Sequence, residues 1–153
     1  MSIVETSAGA RAARRASRRP QLQHLITADE HSLAELETLL VTLPLCAVGR
    51  VFIEVPDVDD IGIVTAPPRM TVSWLPRVRR GGVRHPSGEL LARAATAWAD
   101  EMLCDESEGA LRTEATLLGG DLGTADIAEH LIERCGIAPS AVHAPAAYGL
   151  NAL

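Results

Sequence analysis

QLQHLITADEHSLAELETLL, residues 21–40, contains one complete strand-to-helix transition. From Gln21 to Ala28 the chain alternates and then turns continuously apolar, the pattern of a strand buried on both faces. Asp29, Glu30, His31 and Ser32 make a polar turn, after which Leu33, Leu36, Leu39, Leu40 and Leu43 recur at helical spacing up to Pro44. Ser32, with Glu35 three residues on, has the form of a capping box. A buried strand passing through a short turn into an amphipathic helix is the opening half of a βαβ unit, so helices should cover a parallel sheet.

Alternation of the same kind continues downstream. Val48 to Val55 is an apolar run around Arg50 and Glu54, closed by PDVDD, and Met70 to Leu75 is a further strand after the Pro67-Pro68 stop. PRVRRGGVRHPSG leads into a helix from Gly88 to Leu103, with Leu90, Leu91, Ala94, Ala95 and Trp98 on its apolar side. Ala110 to Leu118 reads as a strand, Gly119 to Gly123 as a turn, and Ala125 to Arg134 as a helix capped by Gly136. Ser140 to Tyr148 is expected as a terminal strand, marked as an edge by Pro145. The fold expected is α/β: an open, mostly parallel, Rossmann-like sheet of about five strands with helices on both faces. Right-handed crossovers then gather residues 28–32, 76–87 and 119–124 along one carboxyl edge, where such sheets hold ligands.

Bulk composition is consistent with this. A chain of 153 residues suits one domain with a proper core, and hydrophobic residues make up 47% of it, with only Phe52, Trp74, Trp98 and Tyr148 aromatic. A core of Leu, Val, Ile and Ala suits a parallel sheet under helices better than a β-sandwich. Residues 1–20 carry Arg11, Arg14, Arg15, Arg18 and Arg19 against Glu5 and have little to bury, so they are expected as a disordered Arg-rich tail before a domain at 21–153. The net charge of -6 therefore divides into a tail of about +4 and a body of about -10. An acidic body argues against nucleic acid or an anionic membrane as partner. Cys46, Cys104 and Cys135 lack any C-x-x-C spacing and read as reduced small hydrophobes, and the scattered histidines do not read as a metal site. With no apolar leader and no run of about 18 apolar residues, the cytoplasm is the expected location.

Four segments, in order from about Leu22 to Tyr148, carry a family resemblance. HLITADEHSLAELETLL is similar to a Gly-Asp-Glu-Thr-Ala-Leu-Pro turn and helix, and RVFIEVPDVDD to a strand ending in Ile-Glu-Val. MTVSWLPR is similar to a Val-Thr-Trp-Leu-x-Arg strand and loop, and TLLGGDLGTADIAEHLIERCGI to a strand, Gly-Glu turn and helix. Together they resemble the C-terminal, NAD(P)H-binding, ferredoxin-reductase-like domain of siderophore-interacting proteins, flavin-dependent reductases of ferric siderophores. Ala28 stands where that family has Gly, Asp121 where it has Glu, and Glu129-His130 where it has an arginine pair; Ala147-Tyr148-Gly149 replaces Gly-Tyr-Trp. Nothing in the sequence matches the family's N-terminal flavin barrel. The resemblance implies an oxidoreductase component for iron acquisition that binds NAD(P)H, does not bind FAD alone, and needs a flavin-binding reductase subunit as partner. The chemistry would then belong to the cofactors, with no catalytic residue expected in this chain.

Three groups of residues are candidates for the nucleotide. Asp29, Glu30 and Ser32 lie at the first strand-to-helix turn, where helix N–H groups can meet an anion or carboxylates can bond hydroxyls; the alternative is simple helix capping. Gly119, Gly120 and Asp121 make a glycine-rich turn in which a ligand can approach the backbone and Thr124 can cap the helix; the alternative is a tight structural turn. Arg77, Arg79 and Arg80, with Arg84 and His85 nearby, can hold phosphate through bidentate donors, or form a solvated basic loop. His31 reads as a surface residue, and Trp74 and Trp98 as core rather than stacking platforms. Two functions remain open from the sequence: the NAD(P)H-binding component, and a non-catalytic interaction or regulatory module that kept the fold and lost the nucleotide.

Overall fold

The computed structural model describes residues 21–78, 80–103 and 111–148. The expectation for residues 1–20 lies outside them, as do Cys104 and Arg79. The chain runs β1 (Gln21–Asp29), α1 (Leu33–Thr42), β2 (Val48–Val55), β3 (Arg69–Pro76), α2 (Glu89–Leu103), β4 (Leu111–Leu117), α3 (Asp121–Glu129) and β5 (Val142–His143). The strands form one sheet in the order β3-β2-β1-β4-β5, and every pairing is parallel. The expected mostly parallel α/β sheet is therefore present, with every strand parallel among the described residues.

The period of two along β1 divides the interior into two layers. Leu25 joins Phe52, Leu91, Ala95, Ala115, Leu117, Ile127 and Leu131 beneath α2 and α3. Ile26 and Ala28 point the other way and join Leu36, Leu40, Val51, Ile53 and Val55 beneath α1. A central strand covered on both faces must be apolar throughout, which is why β1 loses its alternation as it enters the sheet. Trp98 packs against the first layer and Trp74 against the second, in accordance with their expected core roles.

Gly49 has φ 153°, and a Cβ there would lie 2.0 Å from the carbonyl oxygen of His24, its partner across the β1–β2 pairing. Gly136 has φ 69°, and the Ile137 N–H donates to Leu131 O at 3.0 Å, the six-residue closure of a glycine-capped helix. Among the described residues no helix is long and apolar enough to cross a membrane.

The structure corrects several local expectations. The Ser32 side chain makes no capping bond to α1, so the capping box with Glu35 does not form; its hydroxyl is held by Asp29 instead. Helix α3 starts at Asp121 rather than Ala125, and Thr124 lies inside it, with Oγ1 donating to Gly119 O at 3.1 Å. Its last turn, His130–Arg134, is π-helical. The expected strand from Ser140 to Tyr148 shrinks to Val142–His143 between two 3-10 turns, because Pro139 and Pro145 bracket it. Cys46, expected as a reduced small hydrophobe, is outside any disulfide and lies exposed.

Candidate functional site

Strands are added in one direction from β1 to β3, and the chain then returns across the sheet to place β4 on the other side of β1. A crevice must open where the direction reverses, between the carboxyl ends of β1 and β4. Asp29 ends β1 on one side of this reversal, and Gly119-Gly120 follow β4 on the other. A Cβ built on Gly120 would lie 3.5 Å from Asp29 Oδ2, so the two turns face each other.

The β1 turn is held by its own hydrogen bonds. Asp29 Oδ1 accepts from His31 N at 3.0 Å and from Ser32 Oγ at 3.1 Å, and Ser32 Oγ accepts from Asp29 N at 3.0 Å. Asp29 and Ser32 are buried, while the His31 side chain is 85% exposed, the surface position expected of it. Ser32 is thus a turn-stabilising residue, and Asp29 keeps its second oxygen toward Gly120.

In the β4 turn the glycines serve different ends. A Cβ on Gly119 would come within 2.5 Å of Leu91 Cδ2, and one on Gly123 within 2.9 Å of Gly88 O and 3.0 Å of Gly88 Cα. These two are required for α2 and α3 to approach the sheet and each other. Gly120 alone of the three would meet only an ordinary contact, with Asp29 Oδ2. Asp121 is exposed, and its Oδ1 accepts from Leu122 N at 2.9 Å at the start of α3.

The arginine loop is divided. Arg77 Nη1 donates to Glu54 Oε1 at 3.0 Å, Glu30 Oε2 at 3.1 Å and Ser87 Oγ at 3.3 Å, and Nη2 donates to Glu30 Oε1. Its side chain is only 12% exposed. Arg77 therefore ties the β1 turn, the end of β2 and the start of α2 together instead of presenting an open fork. Burial would raise the Glu30 carboxyl, but the bonds from Arg77 and from its own backbone outweigh this and hold it below the usual range. Those same contacts, led by the bond to Glu30, hold the guanidinium above its ordinary value. Arg80 is exposed on a small hairpin closed by the Val78–Arg84 bridge, with Gly81 and Gly82 at positive φ in its bend.

Two residues of the edge were missed from the sequence. Glu54 is fully buried; besides Arg77, its carboxylate accepts from Gly88 N at 2.7 Å and Leu91 N at 3.0 Å, occupying the N-terminus of α2. A lone acid inside the apolar run Val51–Val55 was the available signal. Tyr148 is the other: burial first, then the charges of Asp29, Asp121 and Glu35, push its phenol up, so the C-terminal turn comes back to this edge. No local pattern announces that return.

Chemically, the edge is acidic around one engaged arginine. Asp29 suits a hydroxyl-bearing ligand, the α3 N-terminus suits an anion, and Arg80 and Arg84 are cations of the hairpin among the described residues.

Comparison with known proteins agrees with this architecture. Over 59 residues the chain is 42% identical to an uncharacterized protein of Mycobacterium bovis and, equally, to one of Mycobacterium tuberculosis, covering 39% of this chain and 20% of each relative. Among solved structures, a siderophore-interacting protein from Aeromonas hydrophila superposes with a TM-score of 0.57 at 17% identity, over 82% of this chain and 50% of that one. A siderophore utilization protein from T. fusca gives 0.56 at 24%, over 80% and 42%. The siderophore-interacting protein from Acinetobacter baumannii gives 0.59 at 16%, over 84% and 46%. The chain thus spans about a fifth of the length of its curated relatives and half or less of these structures. The siderophore-interacting protein family matches residues 22–146, most of the sequence and every strand of the sheet, and the chain belongs to that family.

Proposed function

We propose that this chain is the NAD(P)H-binding component of a flavin-dependent ferric-siderophore reductase, an oxidoreductase for iron acquisition in the cytoplasm. The observation that carries the reading is the reversal of strand order between β1 and β4, with Asp29 Oδ2 beside Gly120 at the carboxyl edge there. Asp29 accepts a nucleotide hydroxyl, the backbone at Gly120 and the start of α3 lie beside the pyrophosphate, and Arg80 supplies charge from the hairpin. The nicotinamide supplies a hydride, and the flavin that receives it belongs to a separate partner subunit. The chain's own residues bind and orient.

One observation favours a second reading, an interaction or regulatory module that no longer takes nucleotide. Arg77, the best placed cation of the loop, is already saturated by Glu30 and Glu54. Anaerobic mixing of the chain with NADPH and a flavin-bearing reductase subunit separates the two. The reductase reading expects flavin bleaching that depends on the chain and slows in Gly120→Val. Bleaching indifferent to the chain supports the second reading.

A further inference from the structure

At the opposite edge of the sheet, where α2 and α3 end, three metal-ligating side chains meet. Asp100 lies in the penultimate turn of α2, His130 opens the π-helical turn after α3, and Cys135 follows it. One ligand atom from each lies within 4.8 Å of the other two. None of these residues belongs to the carboxyl edge, because both helices run antiparallel to the strands and carry their C-termini to the far side.

The π turn creates the grouping. In an α-helix residues five apart are rotated by about 140° and point to different sides. Here the Cys135 N–H donates to His130 O at 3.2 Å, the five-residue closure of the widened turn, and this brings His130 and Cys135 to one side, facing Asp100.

We propose that Asp100, His130 and Cys135 form a binding site for a Zn2+-like divalent cation, with water completing the coordination. A carboxylate, an imidazole and a thiolate are the donor set of a borderline-soft ion, and exclude Mg2+ and Ca2+, which take oxygen. His130 Nε2 lies 2.9 Å from Asp100 Oδ1, bonded through one proton. In a tetrahedral zinc site two such ligand atoms stand roughly 3.3 Å apart, so a cation replaces that proton with little movement. The thiol proton of Cys135 passes to solvent on binding. Two helix C-termini converge here, and their carbonyl ends favour positive charge. Burial opposes ionisation of Asp100, but the bonds from His130 and Arg134 outweigh it and hold the carboxyl below its usual range. Arg134 Nε, 3.1 Å from the same Oδ1, competes with the cation for that oxygen.

The test is a cobalt titration of the untagged full chain in a Cys46→Ser, Cys104→Ser background, where Cys135 is the remaining thiol. The expected result is one Co2+ per chain with a thiolate-to-cobalt charge-transfer band, displaced by Zn2+. Cys135→Ser abolishes the band, and His130→Ala weakens binding by about tenfold or more. The side chain of Arg134 is 69% exposed, so Arg134→Ala leaves the fold intact and, by removing a competing cation from Asp100 Oδ1, tightens binding several-fold. Absence of the band in the background protein, its survival in Cys135→Ser, or affinity unchanged in Arg134→Ala would overturn the assignment.

Discussion

Arg77 Nη1 sits 3.0 Å from Glu54 Oε1, and the same Glu54 carboxylate receives the N–H groups of Gly88 and Leu91 at the start of α2. One buried carboxylate therefore fixes both the arginine loop and the helix that follows it. Removing it leaves the N–H groups of Gly88 and Leu91 without their acceptor and the nearly buried guanidinium with one of its two carboxylates. Glu54→Ala should cost about 3–5 kcal/mol in chemical denaturation, at the level of a broken buried pair. A loss below about 1 kcal/mol would show that water replaces the carboxylate at no penalty.

Arg77 also links Glu30 to that core, with a consequence for acid stability. The folded-state pKa of Glu30 is depressed from 4.5, so its contribution is complete above that value. As pH falls through 4.5, the unfolded chain takes the proton first, and the contribution drains away until pH passes the lower folded value. Glu30→Gln should flatten the fall in stability below this pH. Denaturation series at neutral and acid pH check this: an equal pH slope in both proteins contradicts the role given to Arg77.

The three glycines of the β4 turn should rank by what their added methyl group would meet. Gly123→Ala pushes into the Gly88 backbone at 2.9 Å, which cannot give without moving α2. Gly119→Ala meets the Leu91 side chain at 2.5 Å, which can turn aside. Overpacking of this kind costs typically about 1–3 kcal/mol, with Gly123→Ala at or above the upper end. Gly120→Ala meets only Asp29 Oδ2 at 3.5 Å and should stay within about 0.5 kcal/mol of the parent. Thermal melts of the three variants give the order.

The strands β1 to β3 were legible because each is a largely apolar run bracketed by prolines or polar turns, whereas the last strand shrank to Val142–His143. Val48–Val55 could be read to the residue, and Gln21–Asp29 to within one. The start of α3 was not, because Gly123 and Thr124 look like a turn and a cap. A glycine inside that helix makes sense only once Gly88, far away in sequence, is seen against it. The site was half legible for the same reason. Asp29 and Gly120 stand at strand ends that topology brings together, whereas Arg77 read as an open phosphate fork. Its actual partners, Glu54 and Glu30, are 23 and 47 residues away, and no local pattern reports them.

Calorimetric titration of NADH and NADPH into the isolated chain tests the central claim most directly. With Ala28 in place of glycine and Arg77 engaged, binding should be weak, millimolar to high micromolar, or about 4 to 7 kcal/mol. Gly120→Val, which adds bulk against Asp29 Oδ2, should abolish it, and Arg79→Ala with Arg80→Ala should weaken it. Heat that is lost in Gly120→Val while its melting temperature is retained is the predicted result. No heat from the parent protein at millimolar nucleotide, or equal heat from Gly120→Val, would contradict a nucleotide site at this edge.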